Sequence, residues 1–145
     1  MAELNFTEKE LENRETMLWK DERCEAITGG ENKNRFLLYQ LKYSMMNADR
    51  IDIIVSFLME SGVRMLLKDL QRALERGTRI RILTGNYLGI TQPGALYLIK
   101  DALGDQIDLR FYKEKERSFH PKAYIFHKKE FGEIYIGSSN VRSEE

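Results

Sequence analysis

Phe119-His120-Pro121-Lys122-Ala123-Tyr124-Ile125-Phe126 is one apolar, aromatic-rich run, and Ile134-Tyr135-Ile136 leading into Gly137-Ser138-Ser139-Asn140 is the next. Between them lie the charged and turn-forming residues His127-Lys128-Lys129-Glu130-Phe131-Gly132. Two short β-type runs joined this way read as a hairpin. In a strand, residues two apart leave by the same face, so the first run predicts His120 and Lys122 side by side. Ser138 and Asn140 repeat that spacing. A hairpin gathers the four onto one patch holding a nucleophile or acid, a cation and neutral hydrogen-bond donors. A lysine on an inward face is costly unless it meets an anion. A phosphodiester supplies one, and the patch suits chemistry on it.

The residues upstream set the frame for this hairpin. Phe36, Leu37, Tyr39, Leu41 and Met45 fall at helical spacing, with Asn32 or Asn34 as cap. Ile51–Phe57 is nearly continuous in apolarity and reads as a buried strand of a mostly parallel sheet. Ser61-Gly62 opens a helix with Val63, Leu66, Leu67, Leu70 and Leu74 on one stripe, closed by Gly77. Arg79–Thr84 is a second strand, ended by Gly85. Pro93 starts a helix that Gly104 closes, and Ile107–Tyr112 is a third strand. This alternation predicts an α/β fold: a mostly parallel central sheet flanked by helices, ending in the hairpin that carries the His-x-Lys and Gly-Ser-x-Asn residues. Ligands of open parallel sheets sit beyond the carboxyl ends of the strands. Ser56, Thr84 and Gly85 occupy such ends and are candidate substrate-binding residues, with helix capping and turn formation as the ordinary alternative.

Length and composition bound the function. The 145 residues fit one domain, and 42% hydrophobic with 32% charged content reads as globular and soluble. Residues 1–32 are charged and weakly patterned, an arm or short helix, and 33–145 form the main domain. No apolar run approaches the roughly 20 residues needed to span a membrane, and no basic-then-apolar leader is seen, so the expected location is cytoplasmic. Cys24 is the single cysteine, in keeping with a reducing compartment. A net charge of zero argues against a protein that coats nucleic acid non-specifically. A local basic cluster is expected around the His/Lys run from Lys113, Lys115, Arg117, Lys122, Lys128 and Lys129, with Glu114, Glu116 and Glu130 interleaved. The stop at Ser143-Glu144-Glu145, just after the Gly-Ser-Ser-Asn turn, suggests a piece of a longer protein.

His120-Pro121-Lys122 followed by Gly137-Ser138-Ser139-Asn140 resembles the phospholipase D superfamily, whose motif runs His-x-Lys, four residues, Asp, six residues, Gly-Ser-x-Asn. The flanking Ser118-Phe119 and Ala123–Phe126 are similar too, as are Ser56-Phe57, Ser61-Gly62 with the Leu-rich helix, and Arg79–Gly85. The resemblance spans roughly residues 33–143. It looks most like the nuclease domains at the front of bacterial superfamily II helicases and restriction or repair proteins. It implies a metal-independent phosphodiesterase acting on DNA, with no cofactor. His120 would attack phosphorus and form a phosphohistidine. Lys122, Asn140 and Ser138 would hold the non-bridging oxygens. Ser56, Thr84, Gly85, Arg117 and Ser118 would line the substrate-binding rim.

The chain departs from the family pattern in two ways. His127 stands at the position of the motif Asp, and the gap from there to Gly137 is longer. Strand alternation turns residue 127 away from His120, so the family Asp reads as structural. Glu144 and Glu145 lie closer to Asn140 than the family position of the carboxylate that orients the catalytic histidine in related nucleases, so its counterpart is expected beyond residue 145. The chemistry needs two histidines and the chain has one motif, so the resemblance implies a homodimer joined through its active-site faces. Two other functions compete. One is a catalytically impaired nucleic-acid-binding or dimerisation module of a helicase. The other is a lipid phosphodiesterase, disfavoured because no membrane anchor or basic amphipathic helix is present.

Overall fold

The computed structural model describes Thr7 and residues 37–137. Expectations for the N-terminal arm, for caps at Asn32 or Asn34, and for Ser138, Asn140 and the carboxylates Glu144 and Glu145 lie outside the described residues. In chain order the elements are α1 (Leu37–Asn47), β1 (Arg50–Val55), α2 (Glu60–Glu75), β2 (Arg79–Thr84), α3 (Pro93–Leu103), β3 (Ile107–Phe111), β4 (Lys122–His127) and β5 (Gly132–Ile136). Single 3-10 turns sit at Tyr87–Gly89 and Gly104–Gln106.

The strands form one five-stranded sheet in the order β3-β2-β1-β4-β5. β1, β2 and β3 are parallel. The hairpin enters beside β1, with β4 antiparallel to it and β5 antiparallel to β4. The result is the expected α/β architecture, a parallel half completed by an antiparallel hairpin. Both β-α-β crossovers step in the same direction across the sheet, and a fixed crossover hand then puts both helices on the same face. Ile51, Ile53 and Val55 of β1, Ile80 and Ile82 of β2, and Tyr124 and Phe126 of β4 point to that face. They pack in one core with Leu41 and Met45 of α1, Val63, Leu66 and Leu70 of α2, and Ala95, Ile99 and Leu103 of α3.

The α2 stripe was legible from its spacing, because Val63, Leu66, Leu70 and Ala73 are all buried at 3–4 residue intervals. Its start differs slightly from the expected Ser61. The helix begins at Glu60, and its N-cap, Met59, has no capping side chain. The backbone N–H of Glu60 instead donates to Gln92 Oε1 at 2.7 Å, a cap delivered by the residue just before α3. This bond ties the loop after β1 to the loop after β2. Gly77 closes the connection to β2 at φ +89°, a left-handed conformation that costs glycine little.

The other sheet face carries no helix among the described residues. Its alternate positions hold a ladder of charge, Asp108 beside Arg81 beside Asp52, and below it an apolar row of Leu83, Ile54, Ala123 and Ile136. Ile134 and Ile136 at the edge are largely exposed.

Candidate active site

The site is built where the carboxyl ends of β1 and β2 meet the start of β4. The antiparallel register sets Lys122 opposite Val55, and Val55 is opposite Thr84 in the parallel pair. Lys122 therefore emerges on the helix-covered face, at the rim, and is only 8% exposed. His120 is not in the strand. Pro121 has no N–H to give to the ladder, and pairing begins after it. The expectation of two strand residues sharing a face is corrected here. The two side chains nevertheless converge, because the Lys122 ammonium reaches back to the imidazole, with Nζ 2.8 Å from His120 Nε2.

That contact fixes the chemistry of the ring. An ammonium has only donors, so Nε2 must offer its lone pair and the ring proton sits on Nδ1. The imidazole is exposed while the lysine beneath it is buried, so the lone pair stands at the border of solvent and core.

Ser56, wholly buried just past β1, secures the lysine. Its hydroxyl donates to the Pro121 carbonyl at 3.0 Å and lies 3.4 Å from Lys122 Nζ, which donates to it. The expected rim role of Ser56 is thus realised as a brace on the His-x-Lys backbone. Lys122 Nζ also lies 3.5 Å from the His120 carbonyl. The N–H of Gly137, first residue of the Gly-Ser-x-Asn stretch, donates to the Lys122 carbonyl at 3.3 Å. That stretch therefore starts on the strand adjoining Lys122.

The other expected rim residues divide. Gly85 is buried under Phe119, and a Cβ built there would come within 2.8 Å of the Phe119 ring. Only glycine lets that ring close down, and Phe119 stacks on Tyr112 with ring centroids 4.5 Å apart. Thr84 is fully buried, and its Oγ1 has no hydrogen-bond partner among the described residues. Its carbonyl accepts from the Tyr112 N–H at 2.7 Å. Arg117 and Ser118 are exposed in the β3–β4 loop, as are Lys113 and Lys115. Lys128 and Lys129 do not join them. They follow the far end of β4, where the Lys128 ammonium sits 3.1 Å from Glu133 and over the Phe131 ring. A strand runs straight, so residues at its two ends cannot share one patch.

Two contributors had no signal in the sequence. Tyr87, in the turn after β2, lays its ring on the His120 imidazole, with centroids 4.2 Å apart and planes at 41°. Thr91 accepts from the Leu58 N–H at 3.2 Å and donates to the Gly85 carbonyl, stitching the two rim loops together.

His127 faces the opposite side of the sheet from Lys122, as alternation along β4 requires. Its Nε2–H donates to Asp52 Oδ2 at 2.9 Å, and the Arg50 guanidinium lies against the ring, 3.1 Å from Nε2 and 3.4 Å from Nδ1. Arg81 grips the same carboxylate with two bonds of 2.6 and 2.9 Å. The Arg81 guanidinium is the main reason that the Asp52 carboxyl is held below the usual carboxylate range; burial opposes it and His127 adds to it. The motif's Asp position thus belongs to a structural charge cluster on the open face.

The chain is a mixed-sheet α/β domain that presents a neighbouring imidazole and ammonium at a strand-end rim. The chain belongs to the phospholipase D-like domain family: the family model described as "Cardiolipin synthase, PLD-like domain" matches residues 41–144. No curated protein matches the chain. Membership places the domain in a superfamily of phosphodiesterase-type enzymes. Among the described residues no helix is long and apolar enough to cross a membrane. No group of three or more His, Cys, Asp or Glu among them is placed to hold a metal ion.

Proposed function

We propose that this domain is a metal-independent, nuclease-type phosphodiesterase acting on DNA, working in the cytoplasm as a module of a helicase or restriction/repair protein. The observation that carries this reading is the 2.8 Å pairing of a buried Lys122 with the exposed His120 Nε2. An approaching phosphodiester supplies anionic oxygens that compete for the ammonium. As Lys122 turns to them, the Nε2 lone pair is released beside phosphorus. A P–N bond then forms while the P–O bond to the leaving group breaks. The leaving oxygen takes a proton from a second imidazole in its protonated form, and the neutral ring left behind later deprotonates the water that cleaves the P–N bond. His127 cannot be that imidazole, because it lies on the other sheet face. A second subunit's His120 fills the role in a homodimer joined through the active-site faces. Lys122, Asn140 and Ser138 balance the charge that develops on the non-bridging oxygens, and Ser56, Gly85, Thr84, Arg117 and Ser118 shape the rim.

Cleavage of bis(p-nitrophenyl) phosphate in EDTA tests this. Wild type should turn over, and His120→Ala should lose at least about a thousandfold in rate with unchanged circular dichroism. EDTA-resistant cleavage that survives H120A would assign the nucleophile elsewhere. A monomer by sedimentation at concentrations where cleavage proceeds would remove the shared site. His127 in the motif's Asp position favours a second reading, a module that grips nucleic-acid phosphates without cutting. DNA binding that depends on Lys122, with no turnover in wild type, would select it.

A further inference from the structure

We infer that Tyr87 is a positioning residue for the His120 imidazole, steadying the ring through an aromatic contact. The inference rests on the phosphodiesterase reading for its kinetic consequence, but not for its geometry. An exposed imidazole next to an ammonium has little reason to keep one rotamer. Lys122 holds only Nε2, and substrate must displace that bond before attack. The ring also meets Tyr87, with centroids 4.2 Å apart and planes tilted by 41°. That contact does not involve Nε2 and persists when the lone pair is released.

Tyr87 is itself held from several sides. Its N–H donates to the Ser56 carbonyl at 3.4 Å, so it is anchored to the residue that braces Lys122. The next residue, Leu88, takes a left-handed φ of 53°, uncommon for a residue with a side chain, inside a turn closed by the Gly89 N–H donating to the Asn86 carbonyl at 3.0 Å and the Ile90 N–H donating to the Tyr87 carbonyl at 3.1 Å. Asn86 Oδ1 accepts from the Thr91 N–H at 3.2 Å, and Thr91 bridges Leu58 and Gly85. A turn this constrained, delivering one ring onto the imidazole, is built to aim it.

The test compares Tyr87→Ala with Tyr87→Phe. Phenylalanine keeps the ring and loses only the hydroxyl. Y87A should lower kcat about five- to tenfold with KM within twofold, the size of an aromatic pair contact, and Y87F should recover most of the loss. A second readout needs no turnover: the His120 ring protons, followed by NMR in full-length protein, should show a ring-current displacement in wild type and Y87F that disappears in Y87A. Unchanged His120 resonances in a folded Y87A overturn the inference, whatever the activity. So does an equal loss in Y87F and Y87A. If wild type proves inactive yet the ring-current pattern follows the aromatic ring, the positioning stands and only the phosphodiesterase reading fails.

Discussion

Replacing Asp52 with Asn removes one charge and almost no volume, and it tests whether the cluster around residue 127 is structural. Asp52 is 6% exposed and receives two bonds from Arg81 and one from His127, with Arg50 Nε 3.4 Å away. Asparagine would keep one acceptor and turn an amide toward guanidinium groups. Hydrogen bonds to charged groups contribute about 1.5–3 kcal/mol each, but exposed ion pairs contribute only about 0–1 kcal/mol. The carboxylate is buried while its guanidinium partners stay largely hydrated, so the net loss for Asp52→Asn should be about 2 kcal/mol. For a domain of this size that lowers Tm by roughly 8 °C. The sign with pH follows from the lowered carboxyl pKa. Asp52 contributes fully above its unfolded value, about 3.9, and the contribution is lost as pH falls through the lower folded value. Urea unfolding of wild type and D52N, followed by circular dichroism at pH 7 and pH 3, should show a gap at pH 7 that shrinks toward pH 3. Equal stability at pH 7, or a gap that does not shrink in acid, would refute the reasoning.

Restoring the family residue with His127→Asp should not improve the enzyme: it sets a second carboxylate beside Asp52 and should cost about 1–2 kcal/mol, read by urea midpoint, with cleavage per folded molecule unchanged. Gly85→Ala forces the Phe119 ring away from its place beside Tyr112. It should destabilise by about 1–3 kcal/mol and depress cleavage more than H127D does, because Phe119 adjoins His120. Leu70→Ala empties a buried position between sheet and helices. Its urea midpoint should fall by the equivalent of about 2–5 kcal/mol without altering kcat in the folded fraction.

The strand and helix order was legible because each element obeys a local rule. Arg79–Thr84 alternates, α2 repeats at three and four residues, and glycine closes α2 and α3 at Gly77 and Gly104. The separation of His127 from Lys122 was also legible, since parity along β4 decides it. The split of the basic cluster was not. Lys122 and Lys128 are near in sequence, but β4 carries them to opposite ends of the sheet. Nor was the exclusion of His120 from the strand foreseen, although Pro121 was its written cause.

Local sequence determined which segments form strands and helices and which residues can carry phosphate chemistry, because periodicity and proline or glycine chemistry act over a few bonds. The tertiary structure decided what surrounds them. Ser56 braces the His-x-Lys backbone from 65 residues away, and Tyr87 meets the imidazole from the turn after β2. Asp52 meets His127 only because β1 and β4 are neighbours. Such contacts depend on sheet order and register, which are properties of the whole packed core and have no signature within any one segment.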